Sequence, residues 1–112
     1  MPETGFSVFL ITAGSLEEAR RLADILLKER LAACVNILPG IESHYWWQGQ
    51  LETAAECLLL VKSRTTYLDA IIERVKQSHS YRVPEIIALP VTGGSEDYLN
   101  WLSSETENYQ KM

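Results

Sequence analysis

Three side chains in this sequence are suited to metal chemistry. His79 and Glu85 bracket the short stretch Ser80-Tyr81-Arg82-Val83-Pro84, and His44 stands far upstream. Imidazole and carboxylate groups suit copper, zinc or nickel. No two of the three have a local ligand spacing such as His-x-His. One imidazole with one carboxylate is also too few for a closed zinc site, which takes four protein ligands. Copper or another divalent ion is therefore expected to bind weakly, at His79 and Glu85, with water, His44 or a neighbouring subunit's group completing the shell. No cofactor is obligatory. The structural alternative is that Glu85 bonds turn backbone and His79 merely ends a helix. Thr12, Lys62 and Tyr81 are candidates for a small-molecule pocket, with Lys62 either pairing with a carboxylate or binding an anion. Gly93-Gly94-Ser95 before a helix could hold an anion, but a turn with an N-cap explains it fully. No nucleophile, base and orienting group stand together, so the chain is read as non-enzymatic.

The elements that must position these groups are organised around one long hairpin, Ala32 to Ser63, folded back at Gln48-Gly49. The first limb carries Ala32-Ala33-Cys34-Val35-Asn36-Ile37 and ends in Tyr45-Trp46-Trp47. The second returns through Leu51 to Cys57-Leu58-Leu59-Leu60-Val61. Each limb is about twice the usual strand length of roughly five to six residues. Pro39-Gly40 is the expected bulge or bend. Tyr45, Trp46, Trp47 and the turn at Gly49 would cost solubility if left in water, so they are read as an interface. Trp47 opposite Gln50 puts Cys34 near Ser63 and Cys57 near Gly40, too far apart for a disulfide. The two thiols are read as reduced core residues.

In chain order, Phe6 to Thr12 is a strand with apolar residues on both faces. Ser15 with Glu18 forms a capping box, and Ala19, Leu22, Ala23 and Leu26 repeat at helical spacing. After the hairpin, Thr65 and Thr66 are candidate caps for a second helix carrying Leu68, Ile71, Ile72 and Val75. Pro84 opens a fourth strand through Ile86, Ile87, Ala88 and Leu89. Ser95 caps a last helix whose Tyr98 and Trp101 are read as core. The tail from Glu105 to Met112 reads as frayed.

The order is β-α-β-β-α-β with an added C-terminal helix, an α+β ferredoxin-like sandwich over a single domain, residues 1–112 with a core of about 6–104. Right-handed crossovers place both main helices on one sheet face. Strands one, three and four are apolar on both faces, so the second face needs a partner, which supports a homo-oligomer. The topology also brings Ile11 to Gly14, His79 to Glu85 and Tyr45 to Gly49 together, while Lys62 leaves at the opposite edge.

At 112 residues, 46% apolar and 22% charged, the composition is that of an ordinary globular domain. A net charge of −5 disfavours nucleic acid and anionic lipid. The RNA-binding use of this topology ranks last, because strand three shows no RNP aromatic pattern. The apolar run from Phe6 to Ala13 is too short and wrongly flanked for a signal peptide or a membrane span. The expected location is cytoplasmic.

Taken together, Ala32-Ala33-Cys34-Val35-Asn36-Ile37, Tyr45-Trp46-Trp47 with Gly49, Lys62, His79 and Tyr81, Pro84-Glu85-Ile86, Pro90-Val91, and Tyr98-Leu99 with Trp101 carry a resemblance. In their order and spacing the chain resembles the CutA-type divalent-cation tolerance proteins from about Phe6 to Leu102. The resemblance implies a tight homotrimer in which long hairpins pair between neighbours, and an association with tolerance to copper and other divalent metals. Some bacterial relatives carry a cysteine, proposed as a copper ligand, where Ile11 stands here, and the common His-Pro-Tyr is His79-Ser80-Tyr81. Three function classes follow: a metal-responsive tolerance protein, a regulatory trimer binding a small molecule between subunits, or a scaffold for another protein.

Overall fold

A computed structural model describes residues 4–109. Strand β1 (Phe6–Ala13) leads into helix α1 (Leu16–Lys28). The Ser15 hydroxyl accepts the Glu18 N–H at 3.1 Å, which satisfies one of the first-turn donors that a helix leaves open. Strands β2 (Cys34–Trp47) and β3 (Gln50–Arg64) follow, then a 3-10 turn at Thr65–Tyr67, helix α2 (Leu68–Ser78), strand β4 (Ile86–Pro90) and helix α3 (Glu96–Thr106). The four strands form one antiparallel sheet in the order β2-β3-β1-β4.

One sheet face is closed by α1 and α2. Phe9, Ile11, Leu59 and Val61 from the strands meet Leu22, Leu26, Ile71 and Val75 from the helices, and all are fully buried or nearly so. The opposite face carries Leu10, Leu58 and Leu60, with Ile87 and Leu89 about half exposed. Helix α3 crosses only one end of it. There the Lys62 ammonium sits 5.9 Å from the Tyr98 ring centre, and Arg64 donates to the Ser103 carbonyl and the Thr106 hydroxyl.

The hairpin is as long as its sequence suggests, with 14 residues in β2 and 15 in β3. Trp47 pairs with Gln50, and the turn places both Gln48 (φ 50°) and Gly49 (φ 78°) in the left-handed region. That is the backbone of a type I′ hairpin, whose twist matches that of the strands. A register shift between Leu38 and Ile41 marks the bulge at Pro39-Gly40. It moves Cys34 opposite Lys62, one residue from the simple register. Both thiols are free. Strand β1 pairs with β3 only from Cys57 onward, so the arm beyond the bulge is a two-stranded ribbon overhanging the sheet.

Three expectations are corrected. Thr65 and Thr66 cap nothing: the Thr65 hydroxyl instead bonds the Ser7 hydroxyl at 2.6 Å, tying the end of β3 to β1. Tyr98 and Trp101 are each about two-fifths exposed, because α3 buries Leu102 and Thr106 and leaves the two rings against each other in a tilted pair, centres 5.5 Å apart. The chain is also held past Glu105. Arg30 pairs with Glu105 at 2.7 Å, the Tyr67 hydroxyl donates to the Thr106 carbonyl, and Tyr109 packs on Tyr67. The rest of the expected frayed tail, residues 110–112, lies outside the described residues.

Candidate functional site

The end of β1, the start of β4, the loop between α2 and β4 and the overhanging arm meet at one end of the sheet. Between them lies a cleft of about 520 Å³ whose lining includes Thr12, Tyr45, Trp47, Glu56, Tyr81 and Glu85. Its floor follows from register. Thr12 pairs with Leu58 and Ile41 with Glu56, so Thr12 and Glu56 rise from neighbouring strands on the helix-free face. Ile86 pairs with Ile11, which brings Glu85 beside Thr12. Alternation along β2 puts Tyr45 and Trp47 on that same face as walls.

Two groups of carboxylates occupy this end of the molecule, and they differ. Glu18, 4% exposed, accepts the Gly14 N–H at 3.0 Å and the Ser80 N–H at 2.7 Å. Burial alone would raise its pKa, but those hydrogen bonds hold it below the ordinary value. Glu56, 7% exposed, accepts the Tyr81 hydroxyl at 2.7 Å. Burial and the Glu56 carboxylate push the Tyr81 phenol well above its usual range. Glu85, at the open edge, is raised by partial burial and then by the charge of Glu56.

The candidates from the sequence divide accordingly. Glu85, Thr12, Tyr81, Tyr45 and Trp47 meet at the cleft, and His44 borders it with its ring turned to the far side of the arm, as alternation with Tyr45 requires. His79 stands behind it with a fully buried side chain. Its Nε2–H donates to the Thr12 carbonyl at 2.6 Å and its Nδ1 accepts the Tyr81 N–H at 2.9 Å, bonds that assign the neutral Nε2–H tautomer. Both ring nitrogens are thus engaged, so a metal would have to displace one of these backbone partners. His44 is exposed on the arm, bonded to Glu42 at 2.8 Å and Thr53 at 3.2 Å. Lys62 does not join the pocket, because it pairs with Val8 at the other end of β3 and lies over Tyr98. Trp46, 72% exposed, and Leu51 occupy the far side of the arm, with Gly49 at its tip. Ile11 is wholly buried in the helix-side core, facing away from the cleft. Gly93 and Gly94 precede a helix whose first turn is capped by Ser95, which accepts the Tyr98 N–H at 3.4 Å.

Glu56 and Glu18 were not recognised as site residues in the sequence. Glu56 carried a signal: it is the single acid in the second limb between Ala54 and Val61, so alternation places a charge on an otherwise apolar face. Among the described residues, no group of three or more His, Cys, Asp or Glu side chains stands together as a metal-binding cluster. No described helix is long and apolar enough to cross a membrane.

Residues 7–105 match the family model described as CutA1 divalent ion tolerance protein. The chain is 52% identical over 99 residues to Protein CutA 1, chloroplastic, of Oryza sativa subsp. japonica, covering 88% of this chain and 56% of the relative. It therefore spans about half the length of that plant relative. It is also 52% identical over 99 residues to the divalent-cation tolerance protein CutA of Thermus thermophilus, covering 88% of this chain and 96% of that one. The crystal structure of CutA1 from Oryza sativa superposes with a TM-score of 0.89 at 50% identity, over 92% of this chain and 94% of that chain. The expected cytoplasmic location is not upheld. The rice relative is described as chloroplastic, and an Archaeoglobus fulgidus relative as a periplasmic divalent cation tolerance protein (43% identical over 91% of this chain and 99% of that one, TM-score 0.88). The composition of a stable small domain does not encode its compartment.

Proposed function

The chain belongs to the CutA1 divalent ion tolerance protein family, and from that premise we propose that it acts in tolerance to divalent cations as a non-catalytic homotrimer of ferredoxin-like subunits. Copper(II) is the favoured ion, by the usual affinity order. The assembly part of the reading is supported by the open sheet face and the arm. Ile87 and Leu89 on the helix-free face, and Trp46 and Leu51 on the far side of the arm, are about half exposed or more, and neighbouring subunits would cover both surfaces.

The observation that carries the metal part is that Glu85 and Glu56 line one cleft, where burial first and then the Glu56 charge raise the Glu85 pKa. Two carboxylates that repel each other in a partly dry cleft gain when a cation enters. Glu85 and Glu56 supply oxygen ligands, and water or a neighbouring subunit's group completes the shell. In this reading His79 positions Thr12 and Tyr81 and is not a ligand. Such a site binds weakly, as befits a sensor or buffer. The test is calorimetric titration of copper(II) into the parent protein, Glu85→Gln and His79→Gln, with the mass of each measured by light scattering. The reading expects a trimer in all three, binding lost in Glu85→Gln and kept in His79→Gln. A folded monomer of the parent would remove the assembly, and unchanged binding in Glu85→Gln would remove the site.

A further inference from the structure

The floor of the cleft carries more than an acidic pair. Glu56 is more than nine-tenths buried, and among the described residues only its Oε2 is bonded, to the Tyr81 hydroxyl. Thr12 is equally buried and lines the cleft, yet its hydroxyl makes no hydrogen bond among the described residues, while its backbone carbonyl accepts from His79. Both residues are buried, and because no buried side-chain oxygen lacks a partner among the described residues, their unbonded oxygens open onto the cleft, where a ligand can reach them. Glu85 adds a third oxygen acceptor at the open edge.

We propose that this cleft binds a small organic amine, with its ammonium on Thr12, Glu56 and Glu85 and its apolar body between Tyr45 and Trp47. A primary ammonium carries three N–H donors and no acceptor, which matches the three oxygens. The walls are aromatic, so the ligand's body buries apolar surface and its charge gains from the ring faces. A volume of about 520 Å³ lies within the usual span for small-ligand sites. Arg82 also lines the cleft but is exposed, so solvent screens its charge from the floor. The proposal concerns the same cleft as the metal reading and does not depend on it.

The experiment titrates phenethylamine into the full-length protein at pH 7, followed by calorimetry and tryptophan fluorescence. The uncharged isostere 2-phenylethanol is titrated in parallel, and copper(II) separately. The amine is expected to bind and to change the fluorescence of Trp47, with the alcohol at least about tenfold weaker, as loss of a charge-assisted contact implies. Thr12→Val, which keeps the shape of the side chain, is expected to weaken the amine about three- to tenfold. Glu56→Gln, which can still accept the Tyr81 hydroxyl, is expected to weaken it by about tenfold or more. Equal affinity for amine and alcohol in the unmodified protein overturns the proposal, whatever the variants do. Copper binding without amine binding also overturns it and leaves the metal reading intact. Amine binding without copper binding supports it and removes the metal reading.

Discussion

Glu18 and Glu85 lie at the same end of one small sheet, yet their surroundings are opposed. Glu18 sits on the helix side with two backbone N–H donors and His79 around it, and its charge is held in place. Glu85 faces the cleft on the other side, where the charge that raises its pKa is that of another carboxylate, Glu56. A buried charge with its bonds made is architecture: it fixes the loop that carries Ser80, Tyr81 and, through His79, Thr12. A partly buried charge opposed by its neighbour is held at a free-energy cost that a cation can remove. The closed network therefore positions the open one.

Breaking the closed side should have the largest effect. Glu18→Ala leaves the Gly14 and Ser80 N–H groups without their acceptor and should lower stability by about 2–4 kcal/mol, measured by urea unfolding at pH 7. The folded pKa of Glu18 lies below its ordinary value of 4.5. Its contribution is therefore fully present above that pH and is lost as pH falls through the lower folded value. The stability gap between the parent and Glu18→Gln should persist at pH 6 and close on acidification below about 4.5.

The next effect concerns the arm that walls the cleft. Gly49→Val puts a β-branched residue at φ 78° and should cost about 1–3 kcal/mol. Urea unfolding reports that loss, and light scattering reports the accompanying loss of assembled mass at low concentration. Smaller still is Gly14→Ala, at the junction of the two regions. A Cβ there would stand 3.1 Å from the Tyr81 hydroxyl and 3.3 Å from its ring. The ring must give way and loosen its bond to Glu56, so the tyrosine absorbance titration should shift toward lower pH while the fold persists. The least effect on stability is expected for Glu85→Gln. Because the folded pKa of Glu85 is raised, the stability it lends is present at low pH and lost as pH rises through that value. The substitution should therefore leave stability unchanged near pH 4 and increase it slightly at pH 7, as thermal unfolding would show.

Much of this frame was legible in the sequence. Gln48-Gly49 between two apolar limbs specifies the hairpin, and Pro39-Gly40 its bulge, because turn chemistry is local. The element order then places the loops at one end of the sheet. What the sequence hid is non-local. His79 looked like a ligand because its partners are a backbone carbonyl on Thr12 and a backbone N–H on Tyr81, and backbone groups carry no sequence signature. Glu18 looked like a cap and nothing more; its second bond, to the Ser80 N–H, spans the fold. Lys62 was not hidden: the element order already put it at the opposite edge, where it pairs with Val8, and its grouping with the pocket went against that order. Tyr98 and Trp101 obeyed helical spacing, but α3 meets only a corner of the sheet, so the periodicity named a face without a partner large enough to bury it.

The central claim is that the two carboxylates on either side of the sheet are held in opposite states. Side-chain carbon NMR of Glu18 and Glu85, followed across a pH titration of the intact protein, tests it most directly. The account predicts that Glu18 titrates below the ordinary glutamate value and Glu85 above it, with Glu85 alone drawn downward when a cation is added. Ordinary titration of both residues, or a cation that moves Glu18 and leaves Glu85 in place, would contradict it.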